Sequence, residues 1–435
     1  MSRTTRVQEE IRRFLAIGPV QVAELELDDG GLRPGPGSPP VTHGEVFVLV
    51  RKGGRPVGTL LGRVPEGAAP EEVLTALARE GGGPPAGAGP EADAAVPPPR
   101  TTVVIATRER TDQLARALDS LLAQDHPRFE IVVVDNAPVT GGTRELVERK
   151  YGERVRYVCE PVPGLAVAHN AGLAAVRGEV VAFTDDDVVA DPRWLTELTA
   201  PFAADPALGC ATGLILPARL RTPAQVLLES HGGFAKGFVP RTYDPADPPP
   251  DEPLFPFTAG RFGSGANMAF RTEVLRGVGG FDPATGAGTA ARGGDDLYGF
   301  VRVLAEGHRL RYTPSALVWH HHRETWRDLE TQAYGYGAGL TAYLTAILVD
   351  RPGLLPAFLA RLPRGLAHAR ALTAARDTDG GGAPGAHDTR THPWPRRLSR
   401  LQRRGMLYGP VGYLRARRAL RAASGTTATS ARGPR

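Results

Sequence analysis

Hydrophobic and polar positions follow two different patterns along the chain, and the change comes near residue 100. Before it, residues 20–27, 45–50 and 56–64 alternate as half-buried strands do, and the Gly-containing residues 52–55 predict a turn. Residues 70–78 begin with Pro and two acids, which predicts a short helix. We therefore predict a small α+β module over residues 1–80 with a docking or structural role.

A second pattern begins after residues 81–100, which are dominated by Gly, Pro and Ala and are predicted to be a linker. Residues 102–106, 130–134 and 179–184 are compact apolar runs rich in Val and Ile, typical of strands buried on both faces of a parallel sheet. Helix-spaced apolar positions separate them. This pattern predicts a doubly wound α/β domain over residues 101–326, followed by a helical, Arg-rich region over residues 327–435.

Charge is unevenly distributed in this chain of 435 residues. The formal net charge is +5, but residues 351–435 contain 17 Arg and 3 Asp and no Lys or Glu, so the first 350 residues carry −9. The two cysteines are far apart in sequence, which argues against a disulfide framework or a zinc site. The polar N-terminus and the lack of a long apolar run lead us to expect a cytoplasmic protein.

Polar residues follow each of the three predicted parallel strands. They are Thr107 and Arg108, Asp135 and Asn136, and the cluster at residues 185–187. Because ligands bind such sheets at the carboxyl ends of the strands, we expect these groups to share one crevice.

The cluster at residues 185–187 consists of three successive aspartates, which repel one another unless solvent or a cation offsets their charge. On an extended segment Asp185 and Asp187 point to one side and Asp186 to the other. That spacing suits Mn²⁺ or Mg²⁺ bound together with a diphosphate. The alternative is a solvated acidic turn, which the buried strand directly before the cluster makes less favourable.

Four segments occurring in order give the chain a family resemblance: residues 102–108 (TVVIATR), 131–136 (IVVVDN), 163–172 (PGLAVAHNAG) and the aspartate cluster. Over residues 101–326 the chain resembles the family-2 glycosyltransferases. The resemblance implies a GT-A fold and inverting transfer of a sugar from a UDP-, GDP- or dTDP-sugar to a hydroxyl group of a glycolipid, polysaccharide or small molecule. It also implies a divalent metal, Mn²⁺ or Mg²⁺, and a role in cell-envelope polysaccharide biosynthesis.

The resemblance also implies roles for individual residues. Donor-binding residues would be Thr107, Arg108, Asp135, Asn170 and Asp185. Asp185 and Asp187 would hold the metal, with a histidine near residue 320 beside it; His320 and His322 are both candidates, and we assign His322. Gly265 and Asn267 would contact the acceptor.

The carboxylate pair Asp295 and Asp296 resembles the segment of the family that supplies the general base. Asp296 aligns with the base and Asp295 stands where the family usually has Glu, so the assignment between the two stays open. One departure is His169, because the family often has Arg at that position.

Two other functions fit the sequence less well than glycosyl transfer. A nucleotidyltransferase would normally carry a Gly-rich phosphate loop after the first strand, whereas residues 107–111 contain no Gly. A non-catalytic nucleotide-binding or assembly protein would leave Asp295 and Asp296 without a role.

Residues 334–349 are largely apolar but too short to span a bilayer, and Arg is frequent over residues 396–421. Two interpretations remain open. One is a peripheral membrane contact at the inner face of the plasma membrane, in which a helix lies on anionic lipid. The other is a helix packed on the catalytic domain with a solvated tail. Nucleic acid is not expected as a partner.

Overall fold

The computed structural model describes residues 14–80, 97–231, 233–364 and 394–430, with side chains up to residue 422. Residues 81–96, most of the predicted linker, lie outside this description. The described parts of the chain form two sheets with the helices that pack on them, followed by a pair of long C-terminal helices.

The first sheet belongs to the N-terminal module and has the order β2-β1-β3-β4. Its elements are β1 (Gln21–Glu26), β2 (Leu32–Pro34), β3 (Gly44–Lys52), β4 (Arg55–Val64) and α1 (Pro70–Glu80). β3 and β4 form the hairpin that the turn at residues 52–55 predicts. The side chain of Leu74, on α1, is completely buried in the core of this sheet.

The second sheet has the order β11-β13-β10-β12-β8-β5-β6-β7, and β9 pairs with β13. Its strands are β5 (Thr101–Thr107), β6 (Phe129–Asn136), β7 (Val155–Glu160), β8 (Val180–Asp185), β9 (Val188–Ala190), β10 (Leu208–Pro217), β11 (Arg241–Tyr243), β12 (Asn267–Arg271) and β13 (Arg309–His320). β8, β5 and β6 are parallel, as predicted, and β7, which was not predicted, pairs parallel with β6. β12 runs antiparallel between β8 and β10, so the whole sheet is mixed.

Helices cover both faces of this sheet. They are α2 (Thr111–Leu121), α3 (Gly142–Leu146), α4 (Leu165–Ala175), α5 (Trp194–Ala204), α6 (Pro223–Ser230), α7 (Thr272–Gly277) and α8 (Asp295–Ala305). Successive strand residues point to opposite faces, so Val103 packs with α2 and α5 while Val104 packs with α4. Burial on both faces explains why the central strands are apolar without interruption.

The N-terminal sheet packs directly against the larger domain. Val20 pairs with Leu220 as an isolated bridge. Phe47 of β3 lies in one apolar cluster with Trp319 of β13 and with residues of α6. Arg51 also reaches across, with its guanidinium 2.6 Å from a carboxylate oxygen of Asp191. The N-terminal module is therefore part of a continuous packed structure.

Two long helices, α9 (Trp326–Asp350) and α10 (Arg396–Ser430), pack against each other at short range. Glycines make this approach feasible, because a Cβ atom at Gly405 or Gly409 would clash with the backbone of α9. The hydroxyl of Thr341 donates to the carbonyl of Met406 across the interface at 2.7 Å. Among the described helices none alone meets the length and hydropathy of a membrane span. α9 passes only together with Pro352–Arg364, at a bend of 111°.

Candidate active site

A crevice lies at the carboxyl ends of the parallel strands, where the sequence predicts it. Thr107 and Arg108 after β5, Asn136 at the end of β6 and the aspartate cluster after β8 all line a cavity of about 470 Å³. Gln332 and Tyr336 of α9 line it too. The strand ends therefore converge on one site.

Two aspartates and a histidine form a compact group in this crevice. One ligand atom from each of Asp185, Asp187 and His320 lies within 4.8 Å of the others. Antiparallel pairing explains the position of His320, because β13 ends at His320 opposite Val188, the first residue of β9. Oδ1 of Asp187 lies 3.3 Å from Nε2 of His320.

The electrostatics of the group favour a bound cation. Burial and the charge of Asp187 raise the pKa of Asp185 to about 7. Burial also opposes ionisation of Asp187, but His320, Arg323 and Arg110 outweigh it and lower the pKa of Asp187. Oδ1 of Asp187 is buried and accepts no regular hydrogen bond. Two carboxylates and one imidazole are a ligand set that a divalent metal can occupy.

Asp186 is separate from this group, as strand alternation predicts. Its Oδ2 accepts a hydrogen bond from the hydroxyl of Thr107 at 2.7 Å, and its Oδ1 accepts one from Arg110 at 3.1 Å. Arg110 also lies 3.7 Å from Asp187. Asp186 thus fixes Thr107 and Arg110 at the edge of the crevice.

His322, the histidine that we assigned to the metal, lies behind His320. Its Nδ1 is 3.1 Å from Nδ1 of His320, and its Nε2 is 3.0 Å from a carboxylate oxygen of Glu229. Both ring nitrogens are engaged, so the assignment of His322 as a metal ligand is corrected in favour of His320. Residues two positions apart in a strand point to the same side, so the sequence pattern could not show which of these two histidines faces the metal.

The carboxylate pair begins α8, and its two members differ in environment. Asp296 is partly exposed; its Oδ2 accepts from the backbone N–H of Gly265 at 2.9 Å and its Oδ1 from that of Leu297 at 2.8 Å. Burial, followed by the charge of Asp295, raises the pKa of Asp296 to about 6. Asp295 is buried, with its Oδ2 3.2 Å from Nδ1 of His169.

His169 occupies an enclosed position on α4. Its ring lies 4.9 Å from that of Phe183 and 5.2 Å from that of Phe281, measured between centroids. With a side chain that is 1% exposed, it contacts the carboxylate pair and not the solvent-filled crevice. The departure from Arg at this position therefore brings an imidazole into contact with Asp295.

Two predicted binding residues have their amide groups occupied inside the protein. Asn267 is fully buried; it accepts from Trp194 and donates to the carbonyls of Leu214 and Ala316. Asn170 exchanges two hydrogen bonds with the backbone of Phe281. Asn267 is fully buried and holds strands together, so the expectation that it contacts the acceptor is corrected. Asn170 is partly exposed, and its contact with the donor stays a prediction.

Asp135 and Gly265 remain near the crevice. Asp135 is buried at the end of β6, and its Oδ2 accepts from the hydroxyl of Tyr157 at 2.8 Å while its Oδ1 is free of hydrogen bonds. Burial raises the pKa of Asp135. Gly265 holds Asp296 through its N–H and lies between the cavity-lining Ser264 and Ala266.

Sequence reasoning missed several residues of the crevice. Arg110, Phe234, Arg323, Gln332 and Tyr336 all line it. Arg110 could have been found, because it lies in the same strand-end loop as Arg108 and next to the aspartates. The α9 residues gave no local signal, since they reach the site only through the packing of a helix that follows β13.

The geometry agrees with a comparison of the sequence with known families, in which residues 102–278 match the model described as "Glycosyl transferase family 2". Residues 102–278 therefore form a family-2 glycosyltransferase domain. The mixed α/β sheet described above gives it the GT-A fold. Asp296 and His320 lie beyond the matched segment, so the structure extends the domain past residue 278.

Curated relatives and solved structures were compared as well. The pre-mycofactocin glycosyltransferase of Mycobacterium tuberculosis is 27% identical over 59% of this chain and 52% of its own length. An uncharacterized glycosyltransferase of Nostoc is 33% identical over 25% of this chain and 35% of its own length. The chain thus spans about half the length of these relatives or less.

One solved structure with detectable similarity is a mannosyltransferase from Pyrobaculum calidifontis in complex with GDP-Man and Mn²⁺. It is 21% identical and covers 72% of this chain and 87% of its own, with a TM-score of 0.45.

Proposed function

We propose that this chain transfers a sugar, with inversion, from a nucleoside diphosphate-sugar to a hydroxyl group. The observation that carries the proposal is the grouping of Asp185, Asp187 and His320 at the carboxyl ends of the strands, inside a family-2 domain. A carboxylate with a raised pKa, Asp296, stands on the same side of the sheet beside Gly265. Transfer of this type requires those two elements.

The donor nucleotide binds over the ends of β5 and β6. The buried carboxylate of Asp135 has one oxygen that accepts no hydrogen bond, which makes it available to a base or ribose hydroxyl. Arg108 is exposed at the rim of the crevice, and Arg110 is held by Asp186. Arginine binds phosphate well because its planar guanidinium donates in a fixed fork.

Asp185, Asp187 and His320 hold a divalent cation, Mn²⁺ or Mg²⁺. When bound, such an ion offsets the negative charge that develops on the departing diphosphate. Arg110 adds a fixed positive charge 3.7 Å from Asp187. The resulting field favours a diphosphate at a place where the unliganded carboxylates would repel it.

Asp296 accepts the proton of the attacking hydroxyl. Its two backbone hydrogen bonds hold the carboxylate in one orientation, and its partial exposure leaves it accessible to an acceptor. A base is most effective when its pKa is near the working pH, and burial raises the pKa of Asp296 to about 6. Asp295 is buried against His169, so it serves to position Asp296.

Release of nucleoside diphosphate during incubation with Mn²⁺ and a panel of UDP-, GDP- and dTDP-sugars tests the proposal. Asp187→Ala and Asp296→Ala should each lower turnover at least about a thousandfold. Asp119→Ala is the matched control, because Asp119 is an exposed aspartate of α2 with 56% of its side chain accessible. Full activity of a folded Asp187→Ala protein would contradict the metal assignment. Formation of a nucleoside triphosphate and a sugar 1-phosphate when pyrophosphate is added would indicate a nucleotidyltransferase.

A further inference from the structure

The outward face of α10 combines exposed apolar side chains with exposed arginines. Its exposed apolar residues Leu407, Val411 and Leu414 are spaced by four and three positions, so they lie on one side of the helix. Leu407 is 82% exposed. We call these three residues, together with the exposed arginines that flank them, the outer face of α10.

The opposite face of α10 already satisfies the packing of the domain. Leu398, Gly405, Gly409, Gly412 and Tyr413 are buried against α9 and its neighbours. The hydroxyl of Tyr413 donates to Asp282 at 2.8 Å. The outer face therefore does not contribute to the packing of the domain. Exposure of its apolar side chains to water is unfavourable, and a binding partner that covered them would gain this free energy.

Charge on the outer face is of one sign. Residues 396–430 contain no Asp or Glu. Exposed arginines precede and follow the apolar residues along the helix: Arg396, Arg400, Arg403, Arg404, Arg415, Arg418 and Arg421. Arg397 is also exposed, but it pairs with Glu330 of α9. Arg400 and Arg418 are seven and eleven positions from Leu407, so they project from the same side of the helix. A partner must accept apolar contact at the centre and positive charge at both ends.

We propose that the outer face of α10 docks on a bilayer that contains anionic lipid. Acyl chains take up the three apolar side chains, and phosphate headgroups neutralise the arginines. Single-stranded nucleic acid would meet the charge, but it would need accessible rings for stacking. The aromatic residues of this segment do not offer them, because Tyr413 is buried and Tyr408 packs against Tyr334 of α9.

Cosedimentation of the full chain with vesicles tests this proposal. We expect binding to vesicles of phosphatidylcholine with 30% phosphatidylglycerol, at ~0.1 M NaCl, and little binding to phosphatidylcholine alone. Replacing Leu407, Val411 and Leu414 together with Gln should weaken binding at least about tenfold. Replacing Arg403 and Arg404 with Gln should weaken it by about tenfold or more and reduce its salt dependence.

Val139→Gln is the matched control, since Val139 is 80% exposed but follows β6 and is far from α10 in the sequence. It should bind vesicles as the parent protein does. Circular dichroism melts establish that each variant folds. Equal binding of the triple variant and the parent would overturn the proposal, and so would equal binding to neutral vesicles. Binding to an RNA oligonucleotide with none to vesicles would replace lipid by nucleic acid as the partner.

Discussion

His322 contacts His320 through their Nδ1 atoms, which lie 3.1 Å apart, while Nε2 of His322 faces Glu229 at 3.0 Å. An ionised carboxylate only accepts, so Nε2 of His322 carries a proton. Burial lowers the pKa of His322 and keeps it neutral, so its Nδ1 accepts from Nδ1–H of His320. Asp187 raises the pKa of His320 against the effect of burial, and Nε2 of His320 lies 3.3 Å from Oδ1 of Asp187, so Nε2 is the ring nitrogen that would bind a metal after losing its proton.

We therefore expect His322 and Glu229 to control metal affinity through His320. Glu229→Gln and His322→Phe should each weaken Mn²⁺ binding by about 10- to 100-fold, as loss of the group that orients a ligand typically does. Electron paramagnetic resonance of free Mn²⁺ measures this directly, without turnover.

The adjacent His321 gives a matched control for that measurement. Its backbone N–H donates to the carbonyl of Asp187, but its ring is outside the chain of contacts from His320 to Glu229. His321→Gln should keep the parent affinity. If the His322→Phe protein binds Mn²⁺ as tightly as the parent does, then His322 does not control how His320 binds the metal.

The two carboxylates of the pair at the start of α8 should differ in kinetic effect. Asp296→Asn should reduce kcat at least about a thousandfold with little change in Mn²⁺ affinity, because it removes the proton acceptor. Asp295→Asn should reduce kcat by about 10- to 100-fold, since it only alters the surroundings of Asp296. Steady-state kinetics with a saturating donor decide between them, and a larger loss in Asp295→Asn would reverse the assignment.

The pH profile should show an acidic limb set by Asp296. Because the pKa of Asp296 is raised to about 6, the carboxylate is protonated and inactive below that pH, so kcat/KM should fall about tenfold per unit below pH 6. Mn²⁺ binding measured over the same pH range separates this limb from loss of metal. A profile that stays flat down to pH 5 would be incompatible with Asp296 as the base.

Asp296 should also lower stability at neutral pH. The folded state binds its proton more tightly than the unfolded chain, so stability falls as the pH rises from about 4 to about 6. Asp296→Asn should raise the free energy of unfolding by about 1–2 kcal/mol at pH 7.5 and by much less at pH 4. Urea unfolding at both pH values measures the difference, and a variant that is destabilised at pH 7.5 contradicts it.

The close approach of α9 and α10 gives a prediction about packing. Gly409→Val should destabilise the protein by about 2–3 kcal/mol, because a side chain there meets the backbone of Ala338 and the hydroxyl of Thr341. Gly353→Ala is the control, since a Cβ atom there meets nothing within 4 Å. Thermal unfolding compares the two variants, and equal melting temperatures would show that this helix contact does not form.

Much of the parallel half of the sheet could be predicted from the sequence, because its strands are uniformly apolar and separated by periodic helices. The placement of Asp185 and Asp187 followed from the same pattern, since strand ends fix a position and alternation fixes a direction. The antiparallel insertion of β12 between β8 and β10 could not be foreseen. It depends on pairing of β12 with two segments that are each more than 50 residues away in sequence.

The errors at the site have a common physical origin. Asn267 and His322 were assigned from motif positions, yet each has its polar atoms occupied by neighbours that are distant in sequence. Local patterns give the direction of a side chain relative to its own strand or helix. They do not indicate whether a carbonyl, an indole or a carboxylate from another segment already occupies its hydrogen bonds.

Glu229, which contacts His322, belongs to α6, and the N-terminal module packs against this helix. Ala224 and Leu227 of α6 share one apolar cluster with Ile17, Val20 and Phe47 of that module. Trp319, next to His320, belongs to the same cluster. A fragment starting after the linker would lose this support and should bind Mn²⁺ less tightly. We therefore expect the amino-terminal sheet to stabilise the metal site from a distance, through α6 and β13.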